Sequence, residues 1–290
     1  MYKFALIGAS GYIAPRHVEA IKKSHNDLVA LLDPYDGIGY IDKHYPKAAY
    51  FKDLKSFEKH LNDLRVSGNE VNYISICSPN HLHYEHIKFS LKNDCNVICE
   101  KPLVLIHEKI KDLKLLEKET GKRVNTILQL RHHPTIIELK KKYSKTNKIH
   151  KISLDYITPR GLWYDSSWKG NIDKSGGLAS NIGVHFFDML LWIFGEVKEY
   201  QVSNTDKNSK GVLILNNAEV SYNLSIKQED LPWDEWKPYR SITIDKEEIE
   251  FSTGFTELHD ISYNKILSGG GFTLEDVEPT IELIEKIRLG

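Results

Sequence analysis

The sequence predicts an α/β protein in which a doubly wound parallel sheet is followed by an α+β domain with a mostly antiparallel, open sheet. In residues 1–125, short apolar runs alternate with amphipathic stretches, as strands alternate with helices in a parallel sheet. The runs are nearly continuous in Val, Ile and Leu, which is typical of strands covered on both faces. After residue 130, apolar and polar residues alternate, which indicates antiparallel strands with one covered side.

The first domain, residues 1–125, is expected to contain strands separated by helices. The strands are Lys3–Ile7, Leu28–Leu32, Val71–Cys77, Asn96–Cys99 and Arg123–Leu128. The helices lie near Pro15–Lys23, Ser56–Leu64, His81–Lys92 and His107–Thr120, and in the last of these the apolar side chains recur at helical spacing.

The second domain, residues 126–290, is expected to contain further strands, with Asn216-Asn217 as a turn between two of them. Val184–Phe194 is almost wholly apolar and of helical length, so we expect a buried helix. The last helix begins either at a capping box, Thr273-Leu-Glu-Asp276, or at Pro279. The expected strands are His150–Thr158, Glu199–Ser203, Val212–Leu215, Glu219–Ile226, Ser241–Ile244 and Glu248–Phe251.

The composition excludes several classes of partner. The 39 Lys and Arg residues nearly cancel the 40 Asp and Glu residues, so no overall field attracts nucleic acid or an anionic membrane. The apolar runs are shorter than the roughly 20 residues of a membrane helix, and the N-terminus lacks a signal-peptide pattern. Three cysteines in or beside predicted strands suit a reducing compartment better than a disulfide framework. We expect a cytoplasmic protein without a membrane or nucleic-acid partner.

A glycine-containing turn joins the first strand to the first helix. Its spacing from Gly8 to Ala14 is G-x-x-G-x-x-A, which departs from the G-x-G-x-x-G of dinucleotide-binding folds. Glycines let the backbone approach a pyrophosphate, which the helix N-terminus then binds. Asp33 ends the second strand about 20 residues further on, where an acid binds ribose hydroxyls and disfavours a 2′-phosphate. The pattern predicts NAD, with Asp36 as an alternative acid and an ordinary strand–helix turn as the other interpretation.

Two predicted strand ends carry polar residues beside a proline. One reads Ser78-Pro79-Asn80-His81-Leu82-His83, and the other reads Glu100-Lys101-Pro102. Open parallel sheets bind ligands beyond the carboxyl ends of their strands, and proline stiffens the backbone there. We interpret Lys101 as a proton-transfer group held above the sheet. The alternative is an exposed lysine paired with Glu100, which would contribute little to stability.

The apolar helix near residue 185 carries polar groups on one face. Asn181, His185 and Asp188 are spaced at i, i+4 and i+7, after the flexible segment Ser175-Gly-Gly. A lone histidine in such a helix is usually a core residue, but three polar groups on one face favour a functional site.

A metal site is the competing interpretation of the histidines. His81, His83 and His86 come close to ligand spacing, and His132-His133 follows later in the chain. Because no set of Cys, His and Asp has a familiar metal-binding pattern, we predict no metal. A zinc hydrolase is the alternative.

These motifs together resemble the glucose–fructose oxidoreductase family, also called Gfo/Idh/MocA, over essentially the whole chain and in the family's order. The resemblance lies in Gly8–Ala14, Ser78–His83, Glu100-Lys101-Pro102 and Gly176–Asp188, which includes His185. A closer likeness, to bacterial UDP-N-acetyl-2-amino-2-deoxyglucuronate 3-dehydrogenases, lies in residues 11–17, 128–133, 160–164, 167–170, 181–185 and 239–243.

The resemblance implies NAD-dependent oxidation of the carbon-3 hydroxyl of a UDP-linked N-acetylglucosaminuronic acid. Such a reaction feeds the synthesis of diacetamido uronic acids for bacterial surface polysaccharide, including O-antigen. The resemblance also implies reoxidation of NADH by 2-oxoglutarate and a homo-oligomer, a tetramer or a dimer. Many family members have Asp where this chain has Asn181. Since Asn cannot accept a proton, Lys101 and His185 would share the acid–base work.

The expected site has catalytic, substrate-binding and cofactor-binding residues. Lys101 and His185 are the expected catalytic residues. Guanidinium groups bind carboxylate and phosphate bidentately, so Arg131 and Arg160, with Arg240 as a weaker third, are expected to hold the substrate's anionic groups. The other expected substrate contacts are Lys101, Trp163, Tyr164, Asn181 and His185. The expected cofactor contacts are Gly8, Ser10, Gly11, Tyr12, Ile13, Asp33, Ser78, Asn80, His83, Glu100, Lys101, Gln129 and Trp168.

Two further functions remain open from the sequence. A dehydrogenase of the same family could act on another sugar or a cyclitol. In that case the aromatic and Arg-containing stretch 160–169 would need a role other than binding a UDP-sugar acid. A non-catalytic dinucleotide-sensing regulator would keep the fold but would tolerate the loss of Lys101 and His185. For Glu100 the two interpretations are a ribose contact and an ion pair with Lys101.

Overall fold

The computed structural model describes residues 1–146, 148–249, 255 and 257–290. Within it the chain divides into two compact units. The first unit comprises Met1–Val104, Glu108–Ile127 and His259–Val277, and the second comprises Leu105–His107, Leu128–Leu258 and Glu278–Gly290.

The first unit contains a six-stranded parallel sheet, in the order β3-β2-β1-β4-β5-β6, which confirms the predicted doubly wound architecture. The cores of β1, β2, β4 and β5 are buried, as their apolar content predicts. The strands are β1 Lys3–Ile7, β2 Asp27–Leu32, β3 Ala49–Phe51, β4 Tyr73–Ile76, β5 Asn96–Cys99 and β6 Val124–Thr126.

The helices of the first unit alternate with these strands. Helix α1, Ala14–Lys23, has Pro15 in its first turn, where a missing N–H removes no helical hydrogen bond. The following helices are α2 Gly39–His44, α3 Leu54–Val66, α4 His83–Lys92 and α5 Lys109–Thr120, and a 3₁₀ turn, Asn80–Leu82, precedes α4.

The register of the first sheet aligns the carboxyl ends of four neighbouring strands. Ile7 of β1 pairs with Leu32 of β2 and with Ile76 of β4, and Ile76 in turn pairs with Cys99 of β5. The residues that follow these strand ends are therefore brought to one edge of the sheet. They are the glycine turn, Asp33, the Ser78 segment and Glu100-Lys101-Pro102.

The second unit contains a mixed six-stranded sheet, in the order β12-β11-β7-β10-β9-β8. Only the β10–β7 pair is parallel among its described strand pairs, so the predicted mostly antiparallel sheet is confirmed. Its strands are β7 His150–Ile157, β8 Val197–Asn204, β9 Asn208–Leu215, β10 Ala218–Ser225, β11 Tyr239–Ile244 and β12 Glu247–Glu248.

The second unit also contains short helices and one long apolar helix. Helix α9, Val184–Phe194, is buried over nearly its whole length, as predicted, and a π-helical segment, Ala179–Gly183, leads into it. By length and composition alone, the stretch Ile172–Phe194 could cross a membrane, but 78% of its most apolar window is buried inside the protein, as in a core helix. The other helices are α6 Pro134–Tyr143, α7 Trp163–Ser166 and α8 Ile172–Ser175.

A late segment of the chain, His259–Val277, belongs to the first unit, and the C-terminal Glu278–Gly290 belongs to the second. The sequence predicted a continuous second domain, but most of helix α10, Leu258–Leu267, lies in the first unit. Tyr263 of α10 is fully buried there, with its ring centroid 5.9 Å from that of Phe4 in β1. Phe272 forms a β-bridge with Thr126 of β6.

The last helix, α11 Leu274–Leu289, begins at the predicted capping box rather than at Pro279. Thr273 N–H donates to Asp276 Oδ2 at 2.8 Å, and Asp276 N–H donates to Thr273 Oγ1 at 3.4 Å. Pro279 lies inside the helix. Of the predicted strand Glu248–Phe251, residues 250 and 251 lie outside the described residues.

Candidate active site

The glycine turn between β1 and α1 fits a dinucleotide diphosphate. Gly8 has φ +83°, and a Cβ there would lie 2.5 Å from the backbone of Cys77 and Ser78, so this position requires glycine. Within the described part of the chain, the backbone N–H groups of Tyr12 and Ile13 make no hydrogen bond to protein. Free N–H groups at a helix N-terminus are the donors that bind a pyrophosphate.

Asp33 fixes the glycine turn. Its Oδ2 accepts from Ser10 N–H and its Oδ1 from Tyr35 N–H, each at 2.9 Å. Each carboxylate oxygen has a second lone pair, which leaves acceptor capacity for ribose hydroxyls. Asp36 is exposed and forms an ion pair with Lys52 at 2.7 Å. The geometry therefore favours Asp33 over Asp36 as the ribose-binding acid.

Asp33→Ser is expected to raise KM for NAD about tenfold, because one hydrogen bond to a charged group contributes about 1.5–3 kcal/mol. The discrimination against NADP should fall as well, since the carboxylate that repels a 2′-phosphate is removed. Initial rates with each cofactor measure both effects. Asp36→Ser is the matched control, and a larger change in that variant than in Asp33→Ser would contradict the assignment.

The segment after β4 is held by two buried histidines. Ser78 Oγ is 2.8 Å from His86 Nδ1. His83 Nδ1 lies 2.7 Å from the carbonyl oxygen of Pro102, and His83 Nε2 lies 2.8 Å from the carbonyl oxygen of Ser78. Burial lowers the pKa of His83, although the two carbonyls oppose this effect. The ring thus bridges two strand ends, and both of its nitrogens are engaged by backbone rather than free for a cofactor.

Lys101 follows β5 and is partly exposed, between two buried residues. The Lys101–Pro102 peptide bond is cis. The preceding Glu100 is buried, and its Oε1 lies 2.9 Å from both His17 Nε2 and His259 Nε2. Glu100 is therefore held by histidines of α1 and α10, whereas the sequence predicted a ribose contact or an ion pair with Lys101.

The Glu100 cluster extends into the core of the first unit. His17 Nδ1 is 2.7 Å from the hydroxyl of Tyr263, which is 2.6 Å from Ser75 Oγ. Burial alone would raise the pKa of Glu100, but the hydrogen bonds from His17 and His259 hold it well below its ordinary value. One nitrogen from each histidine and one oxygen of Glu100 lie within 4.8 Å of one another, a donor set that could also hold a metal ion.

The second unit brings Asn181 and Tyr164 together. Asn181 Nδ2 donates to the Tyr164 hydroxyl at 3.0 Å and to the carbonyl oxygen of Lys169 at 3.2 Å. Asn181 lies in the π-helical segment, and His185, which is partly exposed, follows in the first turn of α9. π-Helical turns occur frequently at functional sites.

Lys169, which the sequence did not predict, is a further candidate in this unit for binding an anionic ligand. Its Nζ lies 5.6 Å from the ring of Trp163 and 5.7 Å from that of Trp168. Burial lowers the pKa of Lys169, and the nearby charge of Arg160 lowers it further. Two like charges beside two aromatic rings form a surface suited to an anionic ligand.

Arg131 and Arg240, two predicted substrate contacts, each have partners within the second unit. Arg131 is buried, and its Nε and Nη2 donate to the two oxygens of Asp188 at 2.9 and 2.8 Å. The guanidinium N–H groups that were expected to bind the substrate therefore donate to Asp188. Arg240 stacks over aromatic rings, with its guanidinium 5.3 Å from the ring of Tyr156 and 5.0 Å from that of Phe255. Gln129 lies partly exposed in a 3₁₀ turn, Gln129–His132.

The fold and these residues define the protein as a dinucleotide-binding oxidoreductase. The sequence pattern of the oxidoreductase family Gfo/Idh/MocA, NAD-binding Rossmann fold, matches residues 2–127, and the pattern of that family's C-terminal alpha/beta domain matches residues 145–213. The chain belongs to the Gfo/Idh/MocA family, as its motifs predicted, and NAD is the cofactor of its Rossmann domain.

Among the solved structures that are similar over nearly the whole chain, two are complexes of one enzyme. The WlbA (WbpB) dehydrogenase from Thermus thermophilus in complex with NAD and alpha-ketoglutarate is 46% identical, with a TM-score of 0.96, and the match covers 99% of this chain and 95% of that one. The same enzyme in complex with NAD and UDP-GlcNAcA gives 45% identity and a TM-score of 0.95, with the same coverage.

Curated relatives are more distant and match over shorter stretches. D-glucoside 3-dehydrogenase of Escherichia coli is 25% identical over 135 residues, which are 42% of this chain and 35% of the relative. An uncharacterised oxidoreductase of Synechocystis is 28% identical over 167 residues, which are 51% of this chain and 44% of the relative. The chain therefore aligns with less than half the length of each of these two relatives.

Proposed function

We propose that the protein oxidises the carbon-3 hydroxyl of UDP-GlcNAcA with NAD and that 2-oxoglutarate reoxidises the NADH. The observation that carries this proposal is the similarity to the Thermus thermophilus dehydrogenase, 45–46% identical over 95% of its length and solved with NAD, UDP-GlcNAcA and alpha-ketoglutarate. The motifs Glu100-Lys101-Pro102 and Gly183-Val-His185 support the same reaction. On this proposal the protein works in the cytoplasm, as a homo-oligomer, in the synthesis of surface polysaccharide.

Bound NAD supplies the hydride acceptor. The protein's own task is to take the hydroxyl proton and to hold the reacting carbon in place. We assign the proton to neutral His185 or neutral Lys101, with the other residue donating a hydrogen bond to the developing oxyanion. Positioned acid–base groups of this kind contribute about 10²–10⁴-fold to the rate.

The anionic groups of the substrate need cations that are not already used within the protein. Arg131 is held bidentately by Asp188. Arg160 and Lys169, beside Trp163 and Trp168, are the better candidates for a carboxylate or a diphosphate. We assign contacts with sugar hydroxyls to Asn181 and Tyr164, whose side chains are hydrogen-bonded to each other.

Incubation with UDP-GlcNAcA, NAD and 2-oxoglutarate is expected to yield one 2-hydroxyglutarate for each 3-keto sugar. With substrate deuterated at carbon 3, the label should appear at carbon 2 of 2-hydroxyglutarate, because the same hydride passes through the nicotinamide. Mass spectrometry of both products measures the ratio and the label. UDP-GlcNAc, which lacks the carboxylate, is the matched control.

The outcome also separates the other candidates. Turnover of a cyclitol or a simple sugar, without turnover of UDP-GlcNAcA, would replace the proposed substrate by another of the same family. NAD binding without turnover of any sugar would favour a regulator. Unlabelled 2-hydroxyglutarate from the deuterated substrate would exclude oxidation at carbon 3.

A further inference from the structure

The buried cluster around Glu100 has one consistent arrangement of protons. A carboxylate oxygen accepts but does not donate, so His17 and His259 each donate an Nε2–H to Glu100 Oε1. His17 Nδ1 then accepts from the Tyr263 hydroxyl, whose oxygen accepts from Ser75. Glu100 Oε2 accepts from Lys101 N–H at 3.3 Å. This arrangement accounts for each of these hydrogen bonds with an ionised carboxylate and neutral rings.

A second proton on either ring would be poorly placed. His259 Nδ1 is buried and has no hydrogen-bond partner in the described part of the chain, so a proton there would be an unsatisfied donor. Burial lowers the pKa of His17, which also favours its neutral form. The cluster therefore carries one buried negative charge, adjacent in sequence to Lys101.

The residues before and after Lys101 are both held by buried histidines. The Glu100 side chain is held by His17 and His259, and the carbonyl oxygen of Pro102 is 2.7 Å from His83 Nδ1. All three histidines are buried. Lys101 itself is partly exposed, and the residues on either side of it are fixed.

We propose that Glu100 is a positioning residue, an ionised carboxylate that His17 and His259 hold so that β5 presents the Lys101 amine in one orientation. This proposal rests on the catalytic role proposed for Lys101. On this proposal His17 of α1 and His259 of α10 contribute to the reaction by holding Glu100, without contacting the substrate. A small displacement of a catalytic group is enough to slow a reaction by about 100-fold.

A metal-binding role is the competing explanation of the same three residues. Two histidines and one carboxylate form a donor set that zinc accepts. The two nitrogen–oxygen distances of 2.9 Å are those of ordinary N–H···O hydrogen bonds, so protons alone complete the cluster. The variants must therefore separate a hydrogen bond from a metal ligand.

Paired substitutions at His259 provide that separation. His259→Gln keeps an N–H donor near the position of Nε2, whereas His259→Leu has a similar volume and no donor. We expect His259→Leu and Glu100→Gln to lower kcat about 10–100-fold and His259→Gln to retain most of the activity. Glu108→Gln, at an exposed glutamate of the same unit, is the matched control and should behave like the native protein.

A second readout does not depend on the substrate. The rate at which acetic anhydride labels the Lys101 amine, followed by peptide mass spectrometry against pH, reports the environment of that amine. We expect its pH profile to change in Glu100→Gln and His259→Leu but not in His259→Gln. Thermal unfolding and metal analysis of each purified protein complete the comparison.

The outcomes differ between the explanations. A loss of thermal stability with kcat and labelling unchanged in all folded variants would overturn the positioning role. Bound zinc in the native protein that is lost in both His259 variants would replace it by a metal site. If the labelling profiles change as expected while UDP-GlcNAcA is not turned over, the positioning role stands and the proposed substrate fails.

Discussion

Lys101→Met is expected to lower kcat for UDP-GlcNAcA oxidation by about 10²–10⁴-fold, the contribution of a positioned acid–base group. Methionine keeps most of the length of the lysine side chain but has no amine. The segment should keep its conformation, because Glu100 and Pro102 are held by His17, His259 and His83. Single-turnover rates of hydride transfer measure the effect, and thermal unfolding checks the fold.

The kcat of His185→Asn, alone and combined with Lys101→Met, tests whether the two residues act together. If Lys101 and His185 act on the same proton transfer, the double variant should be little slower than the slower single variant, because residues that act as a unit are strongly non-additive. Lys109→Met, at a surface lysine that contacts the ring of Tyr84, is the control and should leave kcat unchanged. Near-native kcat in Lys101→Met, or fully additive effects in the double variant, would contradict a shared catalytic role.

Arg131→Met is expected to lower the free energy of unfolding by about 3–5 kcal/mol, the cost of breaking a buried ion pair. The substitution removes the guanidinium from a carboxylate that also accepts from Thr280 Oγ1 at 3.0 Å and is almost fully buried. Urea unfolding, with the midpoint and slope both fitted, measures the loss.

A substitution of Asp188, the partner of Arg131, distinguishes a structural role of Arg131 from a substrate contact. In Arg131→Met combined with Asp188→Leu, no buried charge of the pair remains, so a large part of the lost stability should return. Lys207→Met is the control, because it breaks an exposed pair with Asp165 in the same unit and should cost at most about 1 kcal/mol. A stable Arg131→Met protein with a raised KM for UDP-GlcNAcA would instead support the substrate contact that the sequence predicted.

The apolar runs predicted most of the first sheet but not all of it. Strands β1, β2, β4 and β5 have buried Val, Ile and Leu cores, and these are recognisable without tertiary information. Strand β3 has three residues, all only partly buried, so it has no such pattern. Helix α2 has one buried residue, Ile41, and therefore no apolar face that periodicity could detect.

The sequence indicates candidate site residues where the motif lies in one short segment. The glycine turn, Lys101 and His185 each belong to a local motif, and the family resemblance combined them. Two features depend on residues far apart in the chain. His259 is 159 positions from Glu100, and Asp188 is 57 positions from Arg131. Nothing local indicates that a histidine near residue 259 reaches the strand end at residue 100, or that an aspartate binds this arginine bidentately.

The return of residues 259–277 to the first unit limits how the protein can be dissected. A truncated gene that stops at residue 127 would encode the nucleotide-binding sheet without Tyr263, Phe272 or the second histidine on Glu100. Such a fragment would expose part of its interior and would lack one of the two histidine N–H groups that donate to Glu100. Chimaeras that exchange cofactor preference between relatives should therefore carry both pieces together, since the module is discontinuous.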